Sequence, residues 1–229
     1  MTIDALADAE RPTSRREEAK AERRARIIAA ARDLIRETGD AGLSMRALAA
    51  RANVSLATPY NLFGSKRAIV VAVLNDIKDF HTRFRSRSST DPITPIFEAV
   101  RLQVSYYQAD PAFYRTLWAE VFNVGGVEAR SALWNPQRAA FWQGLLAEAQ
   151  RSGALLADVD LDLLLQELDF TFRSGVLHWI LGELALEALH VAVGYGYALV
   201  LRGAATEAWS ERLREELLRF QAELRPANR

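Results

Sequence analysis

The side chains that could carry catalysis are few in this 229-residue chain, and they do not gather. The three histidines, His81, His178 and His190, lie far apart, and none pairs with another at the helical i, i+4 spacing that grips one metal ion. There is no cysteine, which removes disulfides and thiolate ligands. No HExxH, P-loop or GxSxG pattern occurs, and Gly194-Tyr195-Gly196 sits in a helical context without the strand that a nucleotide-binding loop needs. Asp158, Asp160 and Asp162 read as a loop and a helix N-cap rather than a metal site. An enzyme is not expected, and neither is a metal or a cofactor. The chemistry left is recognition. It concentrates between Ser44 and Lys66, in SMRALAARANVSLATPYNLFGSK.

That stretch reads as two short helices around a tight turn. Ser44 is a plausible N-cap for Met45 to Ala52, Asn53-Val54-Ser55 makes the turn, and a second short helix runs to about Phe63. Ala49 and Val54 are small or apolar where the helices must cross, so the second can project into a major groove. The second helix offers Ala57, Thr58, Tyr60 and Asn61. Thr58 and Asn61 can bond base edges, the methyl of Ala57 or Thr58 can pack on thymine, and hydroxyls can hold phosphate.

Charge supports the same division. Residues 1–88 hold 17 Lys/Arg against 11 Asp/Glu, and residues 89–229 hold 12 against 18, so a net charge of zero hides a basic front and an acidic body.

The pattern V-S-x-x-T-x-Y-x-x-F-x-S-K, carried by Val54, Ser55, Thr58, Tyr60, Phe63, Ser65 and Lys66, resembles the TetR (tetracycline-repressor) family of regulators. Ile27, Ala30, Ala31, Leu34, Ile35, Gly39, Ser44, Met45, Leu48 and Ala49 agree with it upstream in order and spacing, so the specific match covers about residues 20 to 80. The resemblance implies a DNA-reading role for Ser55, Ala57, Thr58, Tyr60 and Asn61, and phosphate contacts for Ser44, Arg46 and Lys66. It implies a core role for Phe63. Pro59 departs from the pattern, where a larger aliphatic residue is usual. Either Ser55 caps the helix and Pro59 loosens its first turn, or Thr58 is the cap and Pro59 the first helical residue.

The elements around this unit are helical throughout, because apolar residues recur at helical spacing and alternating runs are nearly absent. Residues 1–14 read as a flexible arm, 15–84 as the helix-turn-helix domain and 90–229 as a helical body. In the domain, a first helix spans roughly Glu17 to Glu37 and stops at Gly39, and Ser65 caps a long helix from Lys66 to about Phe84. The polar stretch Arg85 to Pro92 is the expected boundary. In the body, helices are expected near Pro95–Gln108, Ala112–Phe122, Pro136–Ser152, Asp160–Leu181, Leu184–Arg202 and Ser210–Leu224. The run Arg11 to Arg26 reads either as an arm along the phosphate backbone or as a solvated helix face, with Glu17, Glu18 and Glu22 pairing along it.

The body is rich in aromatic residues between Tyr106 and Trp142. The family resemblance implies a pocket here for a small-molecule effector. Tyr107, Trp118, Phe122, Trp142, Arg173 and His178 are its candidate lining, against the alternative that most of the rings are core. Ala185, Ala188, Ala192 and Gly196 fall on nearly one helix face, which suits either a homodimer interface or close packing inside one subunit.

The most apolar stretch, Val176 to Val200, is broken by His178, Glu183, Glu187 and His190, and no signal-like start is seen, so no membrane partner and a cytoplasmic location are expected. The expected function is a ligand-responsive repressor that binds a pseudo-palindromic site on double-stranded DNA as a dimer. Non-specific DNA binding and a helical protein-interaction module are the alternatives.

Overall fold

The computed structural model describes residues 15–39, 43–76, 80–85, 91–122 and 136–225. The arm 1–14 lies outside them. Among the described residues the regular structure is helical apart from one isolated bridge, Leu155 to Ala205. The chain divides into two compact units, residues 1–73 and 74–229.

The first unit contains α1 (Arg15–Thr38), α2 (Met45–Arg51), α3 (Ala57–Phe63) and the greater part of α4 (Lys66–Asn75). One stripe of α1 is buried: Ile27, Ala30, Ala31, Leu34 and Ile35. Against this unit's core lie Met45, Leu48 and Ala49 of α2, Pro59 of α3 and Ile69, Val70 and Val73 of α4. Gly39, at φ 63°, turns the chain just past α1, in the left-handed region that glycine adopts without strain. The Ser65 hydroxyl accepts the Ala68 amide at 3.1 Å and so caps α4. The expected continuous helix to Phe84 is not formed. Helix α4 stops at Asn75, before Asp76, and α5 (Phe80–Arg85) is separate. The unit boundary falls inside α4, ahead of the polar stretch Arg85 to Pro92.

The second unit is built around α6 (Thr94–Ala109), which buries residues on nearly every side, including Ile96, Val100, Gln103, Val104 and Tyr107. Around it stand α7 (Pro111–Phe122), α8 (Pro136–Arg151), α9 (Leu161–Leu181), α10 (Leu186–Gly203) and α11 (Glu207–Leu224). The Asp91 carboxylate opens α6 by accepting the Ile93 and Thr94 amides at 2.7 and 3.1 Å, and it receives Arg212 Nε of α11 at 3.0 Å. Asp160 caps α9 as expected, accepting the Asp162 and Leu163 amides.

Small residues let α10 approach its neighbours. A Cβ on Gly194 would stand 2.5 Å from the Phe220 ring of α11, and one on Gly196 would stand 2.5 Å from the Thr171 methyl of α9. Gly196 therefore serves packing inside one subunit, whereas Ala185 is exposed and Ala188 and Ala192 are half-buried. Gly194→Ala should destabilise the protein by about 1–3 kcal/mol, since a ring in a filled core cannot step aside without strain. Gly144→Ala on α8, where a Cβ meets nothing within 4 Å, should instead stabilise it by about 0.5–1 kcal/mol. Thermal unfolding of both variants checks the pair. Equal midpoints would show that the α10–α11 contact is not tight.

Candidate nucleic-acid interface and body cavity

The turn between α2 and α3 is made by backbone bonds. The Asn53 amide donates to Ala50 O at 3.2 Å and the Val54 amide to Ala49 O at 3.0 Å, which closes the end of α2 in a Schellman arrangement. Asn53 takes the left-handed conformation, φ 51°, that this requires; among non-glycine residues asparagine tolerates it best. The start of α2 is fixed by Ser44, whose hydroxyl accepts the Ala47 amide at 3.1 Å. Its end is tied to α1, where Arg51 makes a two-pronged contact with Glu37 at 2.9 and 2.7 Å, holding the Glu37 carboxyl below its ordinary range.

Helix α3 begins at Ala57, so Pro59 is its third residue. The first four amides of a helix have no intrahelical acceptor, so proline forfeits nothing there. Neither cap open from sequence is formed: Leu56 stands at the N-cap without a side-chain bond, and Pro59 lies in the first turn. The Ser55 hydroxyl meets the Thr58 hydroxyl at 2.8 Å rather than a backbone amide. Pro59 is the buried residue of α3. At the far end, Arg24 of α1 donates to Leu62 O at 2.5 Å and lays its guanidinium 4.2 Å above the Phe63 ring. Arg24 is thus a clasp between α1 and α3, not a hand for phosphate. Gly64, at φ 80°, ends the helix.

With Pro59 turned inward, α3 presents Ala57, Tyr60 and Asn61 to solvent, together with Ser55 before it. Thr58 is half-buried and shares its hydroxyl with Ser55, so it is less available than its position implies. Ser44 and Arg46 are exposed at the start of α2, and Lys66 is half-buried at the start of α4. Sequence reasoning overlooked Leu56, a leucine half-exposed immediately before α3. Its signal was its position between Ser55 and Ala57, at the mouth of the second helix. Farther up α1, Lys20 lies 3.9 Å from Glu17, a solvated pair of the kind that the interspersed acids foretold.

In the second unit, the rings expected to line a pocket form one cluster. Tyr107 is fully buried; its ring stacks on Trp179 at 6.0 Å and meets Trp118 and Phe172 at 6.5 and 6.4 Å. Gln103 donates to the Tyr107 hydroxyl at 2.9 Å. Phe122 stacks on Trp118 at 5.6 Å, and the Trp118 indole nitrogen is buried with no hydrogen-bond partner among the described residues. Beside the cluster lies a small cavity of about 10 Å³, walled by Arg138, Trp142, Leu165, Asp169, Phe172 and Tyr197.

Burial pushes the Asp169 carboxyl above its ordinary range against the pull of Arg173 and Arg138, and it raises the Tyr107 and Tyr197 hydroxyls as well. Arg173 Nε lies 2.6 Å from Asp169 Oδ2, yet its N–H is not aimed along the contact, so charge rather than a directed bond holds the pair.

His178 is not part of this group. It is exposed on α9, 2.5 Å from the Glu183 carboxylate, beside an open groove that includes Phe170, Ser174, Gly175 and Ala192. Sequence reasoning missed Arg138, Asp169 and Tyr197. Asp169 carried a usable signal, because it stands with Leu165, Phe172 and Val176 on the stripe of α9 that faces inward.

Residues 27–73 match the family model described as bacterial regulatory proteins, tetR family. The helix-turn-helix segment is thus similar to that of the TetR family. The match spans α1 from Ile27 through the helix-turn-helix to Val73. No curated protein sequence matches the chain.

Solved structures share the fold of the whole. A TetR transcriptional regulator from Rhodococcus sp. RHA1 superposes with a TM-score of 0.61 at 22% identity, covering 80% of this chain and 97% of that one. RolR in complex with resorcinol gives 0.62 at 18% identity, covering 93% and 98%. FadR from Bacillus subtilis in complex with stearoyl-CoA gives 0.55 at 20%, covering 78% and 98%. The likeness to these structures is one of fold. Among the described residues of this chain, no helix is long and apolar enough to cross a membrane.

Arg24→Ala should lower the stability of the first unit by about 1–3 kcal/mol, because it leaves the Leu62 carbonyl short of a charged donor and bares the Phe63 ring. Hydrogen exchange at the amides of α3 reads this directly. Unchanged protection there would show that the clasp carries no energy.

Proposed function

We propose that this chain is a TetR-family transcriptional regulator, a ligand-responsive repressor that binds a pseudo-palindromic operator as a homodimer, in the cytoplasm and without catalysis of its own. The observation that carries the DNA half of the reading is the rotation of α3. Burial of Pro59 turns Ala57, Tyr60 and Asn61 outward together, with Ser55 and Leu56 at the leading edge. In a major groove this face offers an amide for base edges, a phenol for sugar or phosphate, and two apolar groups for thymine methyls. Ser44, Arg46 and Lys66 would contact phosphate at the helix starts on either side. The domain so defined is residues 15–84, with 90–229 as the effector-binding and dimerising body.

Dimerisation is supported by α9. Leu163, Phe170 and Leu181 are all substantially exposed, and their spacing places them on one face of that helix. A long apolar stripe in water is costly, and a partner helix removes it. Two reading heads on a two-fold axis would then meet half-sites about 34–36 Å apart or a related spacing. Ligand response is read from the aromatic cluster and from the bound resorcinol and stearoyl-CoA of the similar structures RolR and FadR. An effector that prefers one dimer state would shift operator affinity by its differential binding, typically about 1–3 kcal/mol.

Selection of bound duplexes from a random-sequence library should recover a pseudo-palindrome in the presence of excess competitor DNA. Against that site, Asn61→Ala should cost about 1–3 kcal/mol and relax preference at one position per half-site. Arg46→Ala should weaken all sequences alike and reduce the log–log salt slope by about 1. Binding that vanished with salt and yielded no motif would leave non-specific DNA binding as the better reading.

Sedimentation should give a dimer for the unaltered protein and a monomer for Phe170→Glu, with helicity retained. A Phe170→Glu dimer would move the interface away from α9.

A further inference from the structure

Buried polar groups without partners mark where a protein expects something that is not protein. Two polar groups that make no hydrogen bond or ion pair among the described residues border the cavity walled by α8, α9 and α10. Tyr197 is 3% exposed and borders the cavity, and its hydroxyl makes no hydrogen bond among the described residues. Arg138, half-buried in the first turn of α8, lies over the Phe172 ring at 5.7 Å, and no carboxylate of the described residues comes within ion-pair distance of it. The third polar group, Asp169, is already matched by Arg173. Arg138 and Arg173 share the single carboxylate of Asp169, so the three together carry one net positive charge, beside a hydroxyl able to donate and among Trp142, Leu165 and Phe172.

We propose that this cavity is the acid-recognising end of the effector site, and that the effector is a small organic carboxylate with an aromatic or aliphatic body. The carboxylate would pair with Arg138 in a charge-assisted contact and accept the Tyr197 hydroxyl, while its body lies against the rings. An amine is disfavoured, because Asp169 is neutralised by Arg173 and burial further weakens its charge. The cavity holds about 10 Å³, room for one water, so a ligand enters by displacing the Arg138 side chain from Phe172. The inference rests on the reading of the body as an effector-binding unit.

The test uses the full-length protein and sets sodium benzoate, phenylacetate and octanoate against benzamide, phenylacetamide and benzylamine, at ionic strength matched with chloride. Thermal shift and titration calorimetry are the readouts. At least one acid should raise the unfolding temperature in a saturable way, while its amide and the amine do not. Tyr197→Phe, which removes one hydroxyl and little volume, should weaken that acid about tenfold. Arg138→Gln should abolish its binding, and the Tyr197 variant alone decides the matter if Arg138→Gln does not fold.

Binding of benzylamine in preference, equal binding of acid and amide, or no saturable shift with any acid would each overturn the proposal. So would an acid affinity unaltered by Tyr197→Phe. Operator binding is measured separately. Retained sequence-specific binding without acid binding defeats this inference alone, and acid binding without an operator defeats the repressor reading while leaving the site.

Discussion

A helix of seven residues does not hold itself together in water, because nucleation costs several ordered residues before any bond repays them. The proposed reading of DNA hangs on α3, which is such a helix. Its shape is lent to it by its surroundings. The Asn53 turn delivers the chain at the correct angle, Pro59 locks one side into the core, and Arg24 grips the last turn through the Leu62 carbonyl and the Phe63 ring. These contacts come from α1, α2 and the turn, so the reading face exists only when the whole unit is folded. Substitutions in the interior of α1 should therefore reach the DNA-facing side chains without touching them.

The second unit solves a different problem. Its central helix α6 is buried on nearly all sides, which leaves few places for polar groups, yet Gln103, Tyr107, Asp169 and Tyr197 are all drawn into the interior. Gln103 and Tyr107 satisfy one another, and Asp169 is matched by Arg173. The Trp118 indole nitrogen is left without a hydrogen bond among the described residues, and the Tyr197 hydroxyl borders a small cavity. A purely structural core gains by replacing such groups with apolar ones of the same shape. Their presence beside an aromatic cluster supports the proposed effector site.

The pattern of small residues shows how a sequence signal can be right about packing and silent about the partner. Gly194 and Gly196 do permit close helix contact, as their type implies, but the helices that come close are α11 and α9 of the same chain. The surface left for another copy is marked instead by large residues, Leu163, Phe170 and Leu181, on the face of α9 that its own subunit does not cover. From sequence these three are indistinguishable from core leucines and phenylalanines. Only the other helices, once placed, show which faces were already taken.

Much was legible in the residues themselves because it is local. Apolar spacing marked α1 to within a few residues, and Ser44, Ser65 and Asp160 bond the backbone amides that their positions foretold. Gly39 stops α1 by the conformation that only its missing Cβ makes cheap. The ordered set from Ile27 to Lys66 carried the family because a helix-turn-helix fits in one contiguous segment.

What the sequence could not reveal depends on contacts between segments far apart. The place of Pro59 in α3 was settled by the core beneath it, Arg24 was turned from a phosphate candidate into a clasp by Leu62, and His178 was separated from Tyr107 by the rotation of α9. Arg138, Asp169 and Tyr197 come from three helices and meet only after those helices pack. Local signals declare what each segment becomes. Which side chains share a site is decided by helix rotation, and rotation is an outcome of the whole core.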